Sequence, residues 1–294
     1  LEGVPAIVAA AKGRLGRPSQ VHTETAIQQN KGLVELCAGG FEELTGAAPA
    51  EKEGVAAAAK KAEAALAELQ TFLEKELLPR SDGDFRLGAG RFQKKLALLL
   101  DDDIDVAKQA DEAMRLLRAT QEEMVATAKE LWPELMKGKP WKDPTTADEK
   151  KAVVRGVLAK LADDRSTNAT ILKDAEATLA SATEFVKKHD LVRVPDEPCT
   201  IIEMPEYRRG VAIAYCDAAG PLEPVPQTFY AISPAPKGWP AKRVESYYRE
   251  YNRSMLHDLT VHEAMPGHFL QLMHNNRFDS KLRAVFSHGA FVEG

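Results

Sequence analysis

Residues 262–268 read His-Glu-Ala-Met-Pro-Gly-His, which places two imidazoles and a carboxylate within one short segment. Neutral imidazoles bind zinc through a ring nitrogen, and a free carboxylate beside them can take a proton from a water molecule. These are the groups that a zinc hydrolase needs. We therefore predict that His262 and His268 bind a metal ion, with Glu263 facing the metal-bound water.

The spacing of the two histidines departs from the usual His-Glu-x-x-His pattern of zinc peptidases. Residues four apart lie about 40° apart around a helix axis, whereas His262 and His268, six apart, lie about 120° apart. Two such residues cannot reach one ion from a straight helix. Pro266 and Gly267 lie between them, and these residue types interrupt helices most readily. The sequence thus predicts a helix broken or widened at Pro266 and Gly267, with His268 brought back beside His262.

Histidines are concentrated near this segment. Five of the seven fall within 32 residues: His257, His262, His268, His274 and His288. This clustering favours a metal site over two surface histidines on an amphipathic helix. His274 and His288 compete as ligands, but an unbroken helix after His268 turns His274 away. We predict that His288 contacts one of the metal-binding residues or faces the substrate.

Residues 260–272, Thr-Val-His-Glu-Ala-Met-Pro-Gly-His-Phe-Leu-Gln-Leu, resemble the signature of bacterial domain-of-unknown-function family 885. That family is a helical group similar to zinc metallopeptidases of the thermolysin-like (gluzincin) class. Further segments that follow the family's order are residues 1–5, 88–92, 204–206, 228–230 and 292–294. The resemblance covers nearly the whole chain, and its specific parts are the His-Glu-Ala-x-Pro-Gly-His and Val-Glu-Gly pieces.

The resemblance implies a complete set of roles for the site. His262 and His268 would be zinc ligands, Glu293 the third ligand and Glu263 the general base. Glu293 lies 25 residues after His268, which is far enough for one helix to end and another to return antiparallel. The family pattern also begins before residue 1 and continues past residue 294. The chain is therefore expected to be a fragment of a longer protein.

The predicted activity is hydrolysis of a peptide bond, with one Zn²⁺ as cofactor and a peptide as substrate. Non-haem iron enzymes use a similar ligand set, but the Glu directly after the first His favours zinc over iron or manganese. Tyr230, on a predicted strand, is favoured among the tyrosines to hydrogen-bond a developing oxyanion. Two alternatives stay open: a metal-dependent hydrolase of non-peptide amides or esters, and a non-catalytic helical scaffold or binding protein with an incomplete site.

Composition excludes several other classes of protein. The chain has 294 residues, of which 44% are hydrophobic and 28% charged, as in ordinary globular proteins. Its net charge of −5 gives no reason to expect nucleic acid or an anionic membrane as a partner. No apolar run is long enough to span a membrane. The three cysteines lack metal-binding spacing, and the compartment, cytoplasmic or exported, stays open.

The predicted fold class is mainly α: a large antiparallel helical array with a small, proline-bounded β-sheet next to a broken metal-binding helix. The resemblance implies that this core is thermolysin-like. Three regions follow from composition: a helical scaffold (1–190), a small sheet and loop region (191–240) and a metal-binding helical region (241–294). The whole chain as one continuous domain is the alternative.

Local patterns predict the individual elements. Helical periodicity indicates helices at 55–78, 104–131, 147–163, 167–189 and 243–255. The second of these is predicted to stop at Trp132-Pro133, and Thr146 with Glu149 predicts a capping box at the start of the third. Short β-prone runs bounded by prolines predict edge strands at 199–204, 211–216 and 228–232.

Overall fold

The computed structural model describes residues 1–39, 41, 49–223, 227–286 and 292–293. In this part of the chain the protein is mainly α-helical and contains a small three-stranded sheet. The chain divides into two compact units, Leu1–Ala89 with Met204–Ile213 and Gly90–Glu203 with Ala214–Gly294. The three regions predicted from composition are a different division and stay a prediction.

Among its described residues, the first unit contains three α-helices and several short helical turns, one of which packs against the second helix. The helices are α1 (Val4–Arg14), α2 (Gln20–Gly39) and α3 (Lys52–Phe72), and the turn that packs against α2 is a 3₁₀ turn at Glu206–Arg208. A π-helical turn at Leu73–Leu77 continues α3, so the helix predicted at 55–78 is confirmed with a widened last part. Two apolar clusters lie in the described core of this unit: Ile27, Phe72, Leu73 and Leu77, and Val8, Ala65 and Leu66.

Gly32 explains how α2 approaches the turn at Glu206–Arg208 closely. A Cβ atom at Gly32 would lie 2.6 Å from the backbone nitrogen of Tyr207, which is nearer than side-chain carbons come to backbone atoms. Because only glycine lacks this atom, any other residue would push the turn away from the helix.

The second unit contains the remaining helices. They are α4 (Ala89–Leu100), α5 (Val106–Leu135), α6 (Ala147–Leu161), α7 (Ile171–Lys188), α8 (Ala241–Glu250), α9 (Arg253–Glu263), α10 (His268–Asn276) and α11 (Lys281–Val285). Across the described residues, no helix combines the length and the apolar character that a membrane crossing requires.

The predicted end of α5 at Trp132-Pro133 is wrong, because the helix continues to Leu135 with Pro133 inside it. The proline removes a single backbone N–H, and Trp132 is held in place from outside the helix. Its indole Nε1 donates to the carbonyl of Lys139 at 2.8 Å, and its ring meets Trp141 edge to face with centroids 5.2 Å apart. These contacts offset the local cost of the proline.

The prediction of an antiparallel array is wrong for α5 and α6, which run in the same direction. Near the start of α6, Lys150 forms an ion pair with Glu122 at 2.7 Å. Towards the end of α6, Leu161 lines the same cavity as Leu131. Residues 136–146 run back along α5, where Asp143 contacts Lys129. α6 therefore starts beside the middle of α5 and runs parallel to it, whereas a tight turn after α5 would have made the two helices antiparallel.

The start of α6 confirms the predicted capping box. The hydroxyl of Thr146 accepts from the backbone N–H of Glu149 at 3.2 Å, and the Glu149 carboxylate accepts from the N–H of Thr146 at 3.0 Å. Two of the N–H groups that a helix start leaves without partners are thereby satisfied.

The sheet consists of β1 (Cys199–Glu203), β2 (Ala214–Asp217) and β3 (Thr228–Ile232), in the order β1-β3-β2. β1 is parallel to β3 and β2 is antiparallel to it. All three predicted strands are confirmed, but β3 is the central strand and not an edge. Its last three residues are fully buried, which matches their apolar and aromatic side chains.

A single helix predicted at 243–255 is instead divided between α8 and α9. The division occurs at Asn252, whose side-chain oxygen accepts from the backbone N–H groups of Ser254 and Met255 at 3.0 and 3.3 Å. Asparagine is a strong N-cap residue, so it starts a new helix where periodicity alone indicates continuation. α9 then packs against α7 and β2.

Candidate metal centre

The segment between α9 and α10 is the helix break that the sequence predicts. α9 ends at Glu263 and α10 begins at His268. The backbone N–H groups of Ala264 and Met265 both donate to the carbonyl of Thr260, at 2.9 and 3.1 Å. These two hydrogen bonds end α9, and the next residues lead the chain into α10. The predicted break is confirmed.

Gly267 permits the turn because the chain passes very close to the end of α9. A Cβ atom at this position would lie 1.8 Å from the carbonyl oxygen of His262. The φ angle of Gly267 is −75°, which any residue can adopt. The close approach to His262 by itself requires glycine at this position.

The three predicted ligand residues lie close together. The turn places His268 beside His262, and Glu293 lies near both. His262 Nε2 lies 3.6 Å from Glu293 Oε2, and His268 Nε2 lies 3.5 Å from Glu293 Oε1. One donor atom from each of the three residues lies within 4.8 Å of the other two. Six positions apart in sequence, the two imidazoles meet with ring centroids 4.6 Å apart and planes inclined at 74°.

The three side chains differ in exposure. That of His268 is 11% exposed, whereas those of His262 and Glu293 are 50% and 64% exposed. His268 Nδ1, the ring nitrogen that faces away from Glu293, lies 3.5 Å from the side-chain oxygen of Gln271, one turn along α10. The cluster is therefore open to solvent on the side of His262 and Glu293.

Glu263, the residue next to His262, is buried and lies against the sheet. Its Oε2 accepts a hydrogen bond from the backbone N–H of Cys216 on β2 at 2.9 Å. Burial raises the pKa of Glu263 above its ordinary value, while the neighbouring imidazoles of His262 and His268 act in the opposite direction. Burial disfavours the charged form, so it makes this carboxylate a better proton acceptor than an exposed one.

Tyr230 on β3 is fully buried, and its hydroxyl lies 3.2 Å from the hydroxyl of Thr260 on α9. Burial is the main cause that raises the pKa of Tyr230, which keeps the phenol protonated. The structure thus places this hydroxyl against α9. The predicted role of Tyr230 as an oxyanion donor stays a prediction.

The other histidines lie apart from the cluster or outside the described residues. His274 Nε2 lies 2.9 Å from the carbonyl of Arg193, so α10 turns this residue away as predicted. His257 is exposed on α9, one turn before the cluster. His288, predicted to support a ligand or face the substrate, lies outside the described residues.

A model of the family described as DUF885, bacterial protein of unknown function, matches residues 1–294. The chain belongs to the DUF885 family. The resemblance seen in residues 260–272 is therefore confirmed over the full chain. No curated protein matches the sequence.

A solved structure shares the fold of this DUF885 chain. It is that of "a putative lipoprotein of unknown function from Shewanella oneidensis", with a TM-score of 0.61 and 28% sequence identity. The match covers 99% of this chain and 52% of the other. The chain therefore spans about half the length of the solved protein that it matches.

Two contacts in this DUF885 chain were missed from sequence: the hydroxyl of Thr260 and the backbone N–H of Cys216. Thr260 lies three residues before Glu263, so both share one helix face, and this spacing is the signal that was available. No pattern in the sequence indicates that a strand donates to Glu263. The thiols of Cys199 and Cys216 carry no predicted chemistry, and burial raises the pKa of each to about 12.

Proposed function

We propose that this chain carries the metal site and the general base of a zinc-dependent peptide hydrolase. The observation that carries the proposal is the convergence of His262, His268 and Glu293, whose donor atoms lie within 4.8 Å of one another. A fourth residue, Glu263, directly follows one of these donors and is buried beside it. Two imidazoles, one carboxylate and an adjacent second carboxylate form the usual residue set of a hydrolytic zinc site.

The donor set fits zinc in its chemistry, and the two separations that involve Glu293 are close to those of a zinc site. Zinc binds imidazole nitrogens and carboxylate oxygens at about 2.0–2.2 Å, so two ligand atoms of a tetrahedral site lie about 3.3 Å apart. The carboxylate oxygens of Glu293 lie 3.6 Å from His262 Nε2 and 3.5 Å from His268 Nε2. Iron and manganese accept similar ligands. Zinc is favoured because a carboxylate that could act as a base follows the first histidine directly.

His262, His268 and Glu293 would hold the ion, and a fourth position would remain for solvent or substrate. When bound, zinc would polarise a substrate carbonyl and lower the pKa of a water molecule. Glu263 would accept a proton from the attacking water and pass it to the leaving amine. Its Oε2 is fixed by the N–H of Cys216, which leaves the other carboxylate oxygen for proton transfer.

A peptide is the proposed substrate class for two reasons. DUF885 proteins resemble metallopeptidases in the motif that contains His262 and Glu263. In addition, β2 is an edge strand of the sheet, and its residue Cys216 contacts Glu263. The backbone groups of this edge other than the N–H of Cys216, which donates to Glu263, could pair with an extended peptide backbone and bring a peptide bond towards the base. The same site chemistry would also hydrolyse other amides or esters, so substrate class is tested separately.

Metal analysis and peptide hydrolysis by the protein at its natural length test this proposal. We expect about one zinc per chain, and we expect Glu263→Gln to keep zinc while losing at least about a hundredfold in kcat. The matched control is Glu250→Gln, which removes an exposed carboxylate from α8 and should change neither quantity. Retained activity in Glu263→Gln with zinc bound would exclude Glu263 as the base.

The other outcomes are equally decisive. Purified protein that binds no zinc at micromolar concentration would overturn the metal assignment and favour a non-catalytic helical protein. Zinc-dependent cleavage of small amides or esters without cleavage of peptides would overturn the substrate class alone.

A further inference from the structure

Tyr230 occupies the centre of the sheet. On β3 it pairs with Ile201 of β1 on one side and with Cys216 of β2 on the other. It is completely buried, so its hydroxyl has no access to solvent in the described part of the chain. A substrate oxyanion would need to displace the packing around this residue in order to reach it.

The hydrogen-bond donors around the hydroxyl can be assigned. Thr260 donates its single hydroxyl proton to the carbonyl of Leu256, one turn earlier in α9, at 2.8 Å. Its oxygen is then the acceptor in the 3.2 Å contact with Tyr230, and the phenol is the donor. The pKa of Tyr230 is raised mainly by burial, in keeping with a phenol that holds its proton.

The residue opposite Tyr230 on β2 makes a second contact with the same helix. Cys216 donates its backbone N–H to Glu263 Oε2 at 2.9 Å. Thr260 and Glu263 are three residues apart and share one face of α9. A single row across the sheet, Tyr230 and Cys216, therefore contacts two successive turns of the helix. We name these two hydrogen bonds the α9 anchor.

The position of the anchor matters because α9 ends at Glu263. The last turn of a helix has carbonyl groups without intrahelical partners and tends to fray. Here that turn carries His262 and Glu263, and the chain turns sharply into α10 immediately afterwards. Without support from the sheet, rotation of the last turn would move both side chains together.

We propose that Tyr230 is a positioning residue, which acts through Thr260 to fix the last turn of α9 and thereby the position of Glu263 at the metal centre. The inference rests on the proposed function for its catalytic consequence, but the α9 anchor itself does not. It assigns Tyr230 a role different from oxyanion stabilisation, because the phenol proton is already donated to Thr260.

A double-mutant cycle on the protein at its natural length tests this inference. The variants are Tyr230→Phe, which removes one oxygen atom, Thr260→Val, which has the same shape without the hydroxyl, and the combination of both. Each single variant should lower kcat for peptide hydrolysis about tenfold, with KM changed less than about twofold and zinc still bound. The double variant should be no slower than the slower single variant, because both remove one hydrogen bond.

Two controls separate positioning from general destabilisation. Thr260→Ser keeps the hydroxyl and should restore kcat to within about twofold of the original value. Thr183→Val removes a threonine on α7 that also donates to the carbonyl four residues earlier, at 2.7 Å, but that, among the described residues, forms no hydrogen bond with the sheet. This control should leave kcat unchanged.

Three results would overturn the inference. Loss of activity in Tyr230→Phe with none in Thr260→Val would indicate that the phenol acts on substrate directly. Effects that multiply in the double variant would show that the two hydroxyls act independently. Unchanged kcat in both single variants would remove any role in catalysis.

The same variants separate a failure of this inference from a failure of the proposed function. If the original protein binds no zinc and hydrolyses nothing, the proposed function is wrong. The cycle is then measured by chemical denaturation. The α9 anchor predicts that the unfolding equilibrium constant of the double variant equals that of the less stable single variant within about twofold. Independent effects on unfolding would show that the hydrogen bond between Tyr230 and Thr260 does not form.

Discussion

The pair α5–α6 and the pair α9–α10 are both amphipathic, but they differ in how many of their side chains are buried. In α5, whose residues the structure describes from end to end, Ala128 is the single buried side chain among 30. In α9 and α10 the buried side chains are Leu256, Thr260, Glu263, Phe269, Leu270 and Met273. Long-range packing therefore fixes α9–α10 much more strongly than α5–α6.

The polar contacts follow the same division. Around α5 and α6 they are ion pairs at the surface, such as Lys150 with Glu122 and Lys129 with Asp143. Around the second half of α9 they are hydrogen bonds from the sheet to Thr260 and Glu263, while ion pairs of Arg253 with Asp164 and Asp174 lie at its start. Surface ion pairs contribute little because water and salt screen them, whereas buried hydrogen bonds fix side-chain positions. His262 and His268 of the candidate metal centre lie at the ends of α9 and α10, the two helices that carry buried side chains.

Glycine-to-alanine substitutions should show the largest contrast between the two regions. Gly267→Ala places a Cβ atom 1.8 Å from the carbonyl of His262, so the turn must open. We expect destabilisation of about 3 kcal/mol or more and loss of zinc binding. Gly156→Ala in α6 adds a Cβ at an ordinary 3.6 Å from Met136 and should stabilise the protein by about 0.5–1 kcal/mol.

Chemical denaturation and zinc titration measure both glycine variants. Equal stability of the two proteins would contradict the explanation of the turn, which rests on the close approach of Gly267 to His262.

Leucine-to-alanine substitutions should give the next largest contrast. Leu256 on α9 is 2% exposed, whereas Leu117 on α5 is 48% exposed. Leu256→Ala leaves a cavity and should destabilise the protein by about 2–4 kcal/mol. Leu117→Ala should change the free energy of unfolding by less than about 0.5 kcal/mol. A large loss in Leu117→Ala would show that α5 is covered in solution and would weaken the contrast between the two helix pairs.

The capping box of α6 should give a smaller, pH-dependent effect. Hydrogen bonds from Thr145 and Thr146 lower the pKa of Glu149 from 4.5 to about 2. A lowered pKa means that this stabilisation is complete above the pKa of the unfolded chain and is lost as pH falls from 4.5 towards 2. We expect Glu149→Gln to reduce the fall in melting temperature over this interval.

An NMR titration of the Glu149 carboxyl carbon checks the same point directly. A midpoint at the ordinary value of 4.5 would mean that the capping box does not persist in solution.

The surface ion pair of α6 should give the smallest effect. The side chain of Lys150 is 36% exposed and that of Glu122 is 63% exposed. Lys150→Ala should cost less than about 1 kcal/mol, and about 1 M salt should abolish most of that difference. Denaturation at low and high salt measures it. A loss larger than that of Leu256→Ala would mean that surface charge stabilises this protein more than buried packing around α9.

The sequence predicts the parts of this protein that depend on local signals. Thr146 and Glu149 predict the start of α6 because both partners of the capping box lie within one turn. The three strands are recognised by their β-prone residues and flanking prolines. The break between α9 and α10 follows from Pro266 and Gly267 together with the angular separation of the histidines.

Contacts between distant segments could not be predicted in the same way. The direction of α6 depends on the return of residues 136–146 along α5, which no periodicity records. Asn252 divides a helix because its side chain accepts from the backbone N–H groups two and three residues ahead, which competes with continuation of the preceding helix. The contacts of Thr260 and Glu263 with the sheet require the order of the strands, which the sequence alone does not contain.

Zinc binding by the protein at its natural length, measured by competition with a chromophoric chelator at neutral pH, tests the central claim most directly. We predict one zinc per chain and at least about a hundredfold weaker binding in His268→Ala and Glu293→Gln. His257→Ala removes an exposed histidine from α9 and should bind zinc as the original protein does. Equal zinc affinity in all four proteins, or no binding in any of them, would contradict a metal centre at His262, His268 and Glu293.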